Sequence, residues 1–130
     1  MGKLVPRHGG LGGGGGLGRV RRIDLLALDA VPDGTMKMAW VDSTDPVLVV
    51  HAEGQVAAYQ GICSHEYFEL DKGFLTAGSI TCALHLSRFD LATGDPLDPP
   101  ADQPIARYEV VVEDGRVLIE VPDGPLPVFD

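Results

Sequence analysis

Near the C-terminal end, apolar residues fall at every second position in two neighbouring stretches. Tyr108, Val110 and Val112 share one face of residues 106–113, and Val117, Ile119 and Val121 share one face of residues 116–121. A period of two is that of a half-buried β-strand. Between the stretches stands Asp114-Gly115, a dipeptide suited to the two-residue hairpin turn because both positions need positive φ. Strands are predicted in the same way over 20–28, 35–41, 46–52 and 55–60. Val31-Pro32-Asp33-Gly34 forms a turn after the first and Asp42-Ser43-Thr44-Asp45 a turn after the second, while Glu53-Gly54 closes a hairpin. Met36, Met38 and Trp40 share a face of the second strand, and Trp40 is expected in the core. Val47-Leu48-Val49-Val50 suits a buried strand. No segment sustains a helical period and no repeat is found, so the pattern predicts an all-β chain.

Between these hairpins, residues 61–104 are loop-rich, and a long irregular insertion in a small β domain is usually functional or disordered. With 130 residues, the chain has room for one domain and a single core. No apolar run approaches the length of a transmembrane helix. Charge is unevenly placed. Residues 1–22 hold five basic and no acidic residues, leaving residues 23–130 with five basic against nineteen acidic, a charge of −14. That argues against nucleic-acid binding, which needs phosphates to be neutralised. Gly12 to Gly16 are consecutive and lose much backbone entropy on ordering, so residues 1–19 are expected to be a flexible Gly-rich leader or tag. Arg21-Arg22 precedes a short apolar run, but Asp24 and Asp29 interrupt it and no small-residue cleavage site follows, so it is not read as an export signal. Cytoplasmic localisation is expected.

The insertion holds both cysteines and two of the four histidines, as Cys63-Ser64-His65 and, after a gap of sixteen residues, Cys82-Ala83-Leu84-His85. Two buried thiols beside incidental histidines are the plain reading. The pairing of each cysteine with a histidine beside turn residues points instead to a metal. Structural zinc sites usually pair like with like. Mixed loops suit two adjacent irons, one held by both cysteines and the other by both histidines. An oxidised [2Fe-2S] core with two thiolates is neutral, whereas four thiolates leave it negative. Adding an electron to the neutral site costs less Coulomb energy, so histidine ligation raises the potential.

These two loops resemble those of Rieske [2Fe-2S] proteins. Ala58-Tyr59-Gln60-Gly61-Ile62 before the first loop, Arg88-Phe89-Asp90 with Thr93-Gly94 after the second, and Pro99-Pro100 beyond are similar to the small ferredoxins of bacterial aromatic-ring dioxygenases and hydrocarbon monooxygenases. The resemblance covers residues 22–121. It implies a Rieske fold, an antiparallel β-sandwich base with a loop-rich cluster-binding subdomain, over residues 20–124, with 125–130 a C-terminal tail. It further implies one [2Fe-2S] cluster per chain, with Cys63 and Cys82 on the buried iron and His65 and His85 on the outer one. Residues 95–104 would form a third loop covering the cluster. The implied function is one-electron transfer, without catalysis by the chain itself, from a flavin NADH-dependent ferredoxin reductase to a terminal oxygenase, by a monomer that binds neither membrane nor nucleic acid.

Departures from the family pattern also count. Ser64 and Ala83 stand where ligand-loop prolines are common, and with both cysteines used as ligands no disulfide ties the loops. Ser87 keeps the position of a serine that hydrogen-bonds cluster or ligand sulfur, but Phe89 replaces a tyrosine donor. Fewer donors to sulfur lower the potential, toward the low end of the family's range of about −150 to +300 mV. His51 is expected at the surface. Tyr67 and Phe68 are expected to pack the first loop onto the base. Glu66, Glu69 and Asp71 form an acidic edge, read equally as solvated charge or as steering for basic partners. Two other readings stay open: a bound Rieske small subunit of a reductase such as nitrite reductase, and a structural Cys2His2 zinc module.

Overall fold

The computed structural model describes residues 20–84 and 86–122; the expectations for residues 1–19, for His85 and for 125–130 lie outside them. Six strands form one antiparallel sheet in the order β1-β9-β8-β4-β3-β2. They are β1 (Val20–Ala27), β2 (Thr35–Val41), β3 (Asp45–Ala52), β4 (Gln55–Gln60), β8 (Arg107–Glu113) and β9 (Arg116–Pro122). The sheet curls until its edge strands β1 and β2 approach each other. Between Gln60 and Arg107 lies a second antiparallel sheet of three short strands, β5 (Phe74–Thr76), β6 (Ser79–Thr81) and β7 (Arg88–Asp90). The all-β expectation holds. The strand expected to reach Leu28 stops at Ala27, where a single 3-10 turn, Leu28–Ala30, begins.

The predicted turns carry the backbone their sequences call for. Glu53 and Gly54 have φ of 54° and 78°, and Asp114 and Gly115 have 52° and 74°, the pair of positive values that matches strand twist in a two-residue hairpin. The hairpins set the register, and the register sets two cores. Val47 and Val49 of β3, Val56 and Ala58 of β4, Tyr108 and Val110 of β8 and Val117, Ile119 and Val121 of β9 fill the hollow of the curled sheet. Leu48 and Val50 point the other way, into a second core with Tyr59, Leu70, Ile80, Phe89 and Ile105. An unbroken Val-Leu-Val-Val run is thus what a strand covered on both faces requires.

Two residues depart from expectation here. Trp40 is 45% exposed rather than in the core. Met36 and Met38 on its face reach the second core, but Trp40 pairs with Pro46 near the end of edge strand β2, while Ala39 and Val41 on the opposite face enter the first core. His51 is not a surface residue, with its side chain only 16% exposed. Its Nδ1–H donates to the Val31 carbonyl (2.8 Å), and Nε2 lies 3.6 Å from Asp33 Oδ1, so it fastens the β1–β2 connection.

Gly94 closes the turn after β7 at φ +83°, and a Cβ there would collide with the Ile105 carbonyl oxygen. The same close approach carries the Ile105 N–H to Gly94 O bond of 2.9 Å. Gly94→Ala is therefore expected to destabilise the protein by about 2 kcal/mol or more, read as a lower urea midpoint with an unchanged m-value.

Candidate metal centre

Both cysteine-histidine segments are short loops closed at the neck by backbone hydrogen bonds. In the first, the Cys63 N–H donates to Phe68 O (3.0 Å) and the Leu70 N–H to Gly61 O (2.8 Å), with Ile62 bridging to Glu69. Gly61 is required at the entry, since a Cβ there would meet Met38 Sδ and lie 2.9 Å from Pro46 Cβ. In the second, the Cys82 N–H donates to Ser87 O (2.8 Å) and the Leu86 N–H to Cys82 O (2.9 Å). Leu86 adopts φ 63° to complete this turn, a conformation that costs a residue with a Cβ about 1 kcal/mol.

The necks set the depth of the side chains. Cys63 and Cys82 are 6% and 2% exposed, belong to the same core as Leu48, Tyr59 and Phe89, and form no disulfide. His65, two residues on from the first neck, is exposed, with Nε2 3.8 Å from Glu66 Oε2. His85 lies outside the described residues. Among the described residues, no three His, Cys, Asp or Glu side chains converge as a metal site. Thiols at depth and an imidazole at the rim suit a two-iron group whose inner iron takes sulfur and whose outer iron takes nitrogen.

A third segment runs beside both loops. It leaves β7 through Asp90 N–H to Asp95 O (2.9 Å) and Leu97 N–H to Arg88 O (2.7 Å). The Arg88 guanidinium grips Asp98 with two bonds, Nε to Oδ2 at 2.6 Å and Nη2 to Oδ1 at 3.1 Å. Ala101 N–H donates to Ser87 Oγ (3.2 Å), and Ser64 Oγ donates to the Gln103 carbonyl (2.6 Å).

Residues 22–109 match the family model of the Rieske [2Fe-2S] domain. The chain belongs to the Rieske family. As a Rieske protein its cofactor is a [2Fe-2S] cluster, and it is an iron–sulfur electron carrier. It is 35% identical over 99 residues, 76% of this chain and 94% of the other, to the ferredoxin component of the naphthalene 1,2-dioxygenase system of Pseudomonas aeruginosa. It is 36% identical over 109 residues, 83% of this chain and 86% of the other, to the ferredoxin component of the alkene monooxygenase system of Xanthobacter autotrophicus. Among solved structures, it resembles a chain in the complex of reduced oxygenase and oxidized ferredoxin of carbazole 1,9a-dioxygenase. That match has a TM-score of 0.70 at 26% identity and covers 75% of this chain and 91% of that one. No helix among the described residues is long and apolar enough to cross a membrane.

Around the Rieske loops, the outer side chains divide differently from expectation. Phe68 packs on the second core, as expected, but Tyr67 is 75% exposed, because the Cys63–Phe68 neck turns its neighbour outward. The acidic edge is mixed in character: Glu69 pairs with Lys72 Nζ at 3.1 Å, while Asp71 has a buried oxygen. Sequence reasoning also missed the Arg88–Asp98 clasp, although a basic residue and an acidic one ten apart across a turn could have suggested it.

The clasp has a pH signature. A hydrogen bond from Arg88 holds the Asp98 carboxyl below its ordinary value of 3.8. The folded group therefore contributes stability above that value and loses it as pH falls through the lower folded value. Urea midpoints of Asp98→Asn and the parent should differ slightly at about pH 6, and the difference should shrink as pH falls below 3.8.

Proposed function

We propose that the chain is the soluble, monomeric, cytoplasmic ferredoxin of a multicomponent oxygenase system, taking single electrons from a flavin NADH-dependent reductase and delivering them to a terminal oxygenase. The observation that carries this reading is the pair of closed loops with Cys63 and Cys82 buried at their necks and exposed side chains at their tips. Cys63 and Cys82 would hold the inner iron, and His65 and His85 the outer one, with Ser87 donating its hydroxyl proton toward sulfur. When bound, the cluster accepts and releases one electron. With four protein ligands no position is left open for a substrate, so the chain's contribution is to hold the group, cover its inner side and present its outer side.

The rim supports transfer to another protein. Tyr67, Leu84 and Leu86 are exposed and lie within two residues of His65 or His85. Apolar groups can be desolvated on contact, shortening the path between redox centres, whereas the charge of −14 on residues 23–130 acts over longer distance to steer encounter. Leu86 keeps its exposed side chain at 61% exposure despite its positive φ, a cost that stability alone does not favour.

Metal and sulfide analysis of anaerobically purified protein should give about two irons and two sulfides per chain, silent in EPR when oxidised and rhombic when reduced. Cys82→Ala should abolish both. One zinc without sulfide would overturn the reading. Leu86→Asn tolerates the positive φ and should leave stability and cluster content unchanged. It should slow electron delivery to the oxygenase by about tenfold, the scale of one interface contact.

A further inference from the structure

The third segment passes both loops with few means of fastening itself. Pro99, Pro100 and Pro104 have no N–H to donate. Its ends are held by the Arg88–Asp98 clasp and by the Ile105 N–H bond to Gly94 O. Between these ends, the segment meets one hydroxyl from each ligand loop. Ser64, between Cys63 and His65, donates to the Gln103 carbonyl at 2.6 Å. Ser87, in the second loop, accepts the Ala101 N–H at 3.2 Å. The two contacts are two residues apart on one strap, and together they join loops that no disulfide joins.

We propose that Ser64 is a positioning residue that acts on the metal centre through this strap, by holding Ala101 against Ser87. The two serines play opposite roles. Ser64 uses its proton on Gln103. Ser87 uses a lone pair on Ala101, so its own proton is directed away from that N–H and is available to another acceptor. Ala101 is buried with Cys63 and Cys82 in the second core, so displacing it disturbs the surroundings of both thiols. Removing the Ser64 hydroxyl frees Gln103, and with it the residue that orients Ser87. The Gln103 side chain takes no part, since the bond uses its carbonyl. The role at the cluster rests on the ligand and Ser87 assignments of the proposed function, whereas the strap itself does not.

Amide hydrogen exchange and redox titration of the purified protein test the two parts separately. Ser64→Ala should raise the exchange rate at the Ala101 amide several-fold, and Ser64→Thr, which keeps a hydroxyl, should restore protection. Gln103→Ala should behave as the parent. In Ser64→Ala, iron and sulfide content should be retained while the midpoint potential falls, in the direction of Ser87→Ala. The double variant should fall no further than Ser87→Ala alone, because both changes remove the same donor geometry. An Ala101 amide unaffected by Ser64→Ala overturns the strap. Faster exchange with an unmoved potential, or a fully additive double variant, overturns the action through Ser87. If the parent itself has no iron and sulfide, the proposed function fails, and Ala101 exchange still decides whether the strap exists.

Discussion

Leu48 and Val50 on one side of β3, with Val47 and Val49 on the other, are the packing on which the rest of the structure depends. The smaller sheet has three strands of three residues each, too few to bury a core alone. It borrows its floor from β3 and β4. Tyr59 lies in that floor, and its hydroxyl donates to the Leu91 carbonyl (2.6 Å), joining β4 to the turn after β7. Burial pushes its phenol above the ordinary value, and the nearby Arg107 only partly opposes this, so Tyr59 stays a neutral donor across the physiological range. Arg107 also lies over its ring, 5.5 Å from the centroid.

From that floor the loops rise by backbone bonding rather than by side-chain bulk. Each neck pairs a cysteine N–H with a carbonyl five residues on, Phe68 for Cys63 and Ser87 for Cys82. A closed turn of this size leaves its first residue inside and its middle residues outside. In the first loop, the depth difference between the Cys63 thiol and the His65 imidazole follows from where the cysteine sits in its turn. The strap then supplies lateral support where the loops have neither prolines nor a disulfide.

Much of this was legible in the sequence, for reasons that differ by element. The hairpins at Glu53-Gly54 and Asp114-Gly115 could be read because positive φ at two successive positions selects few residue pairs. β3 could be read because double-sided burial leaves an apolar run. β5, β6 and β7 could not: three residues are too short to display a period. Trp40 misled because alternation gives the face a residue occupies but not where the partner layer ends. His51 misled because its partners, Val31 and Asp33, meet it only once the hairpin closes. The cysteines and His65 were marked by spacing, whereas the Ser64 and Ser87 bonds depend on a segment that approaches from 14 to 39 residues away.

The curled sheet and the loops share the second core, and this divides the molecule into a foundation and a fitting. Changes that repack Val47, Val110 or Ile119 alter how firmly the foundation stands. They reach the outer rim through the second core, to which Leu48, Val50 and Tyr59 belong. Changes at Tyr67, Leu84 or Leu86 leave the foundation untouched. A chain built this way can exchange one partner for another by altering a few rim positions while inheriting its architecture whole.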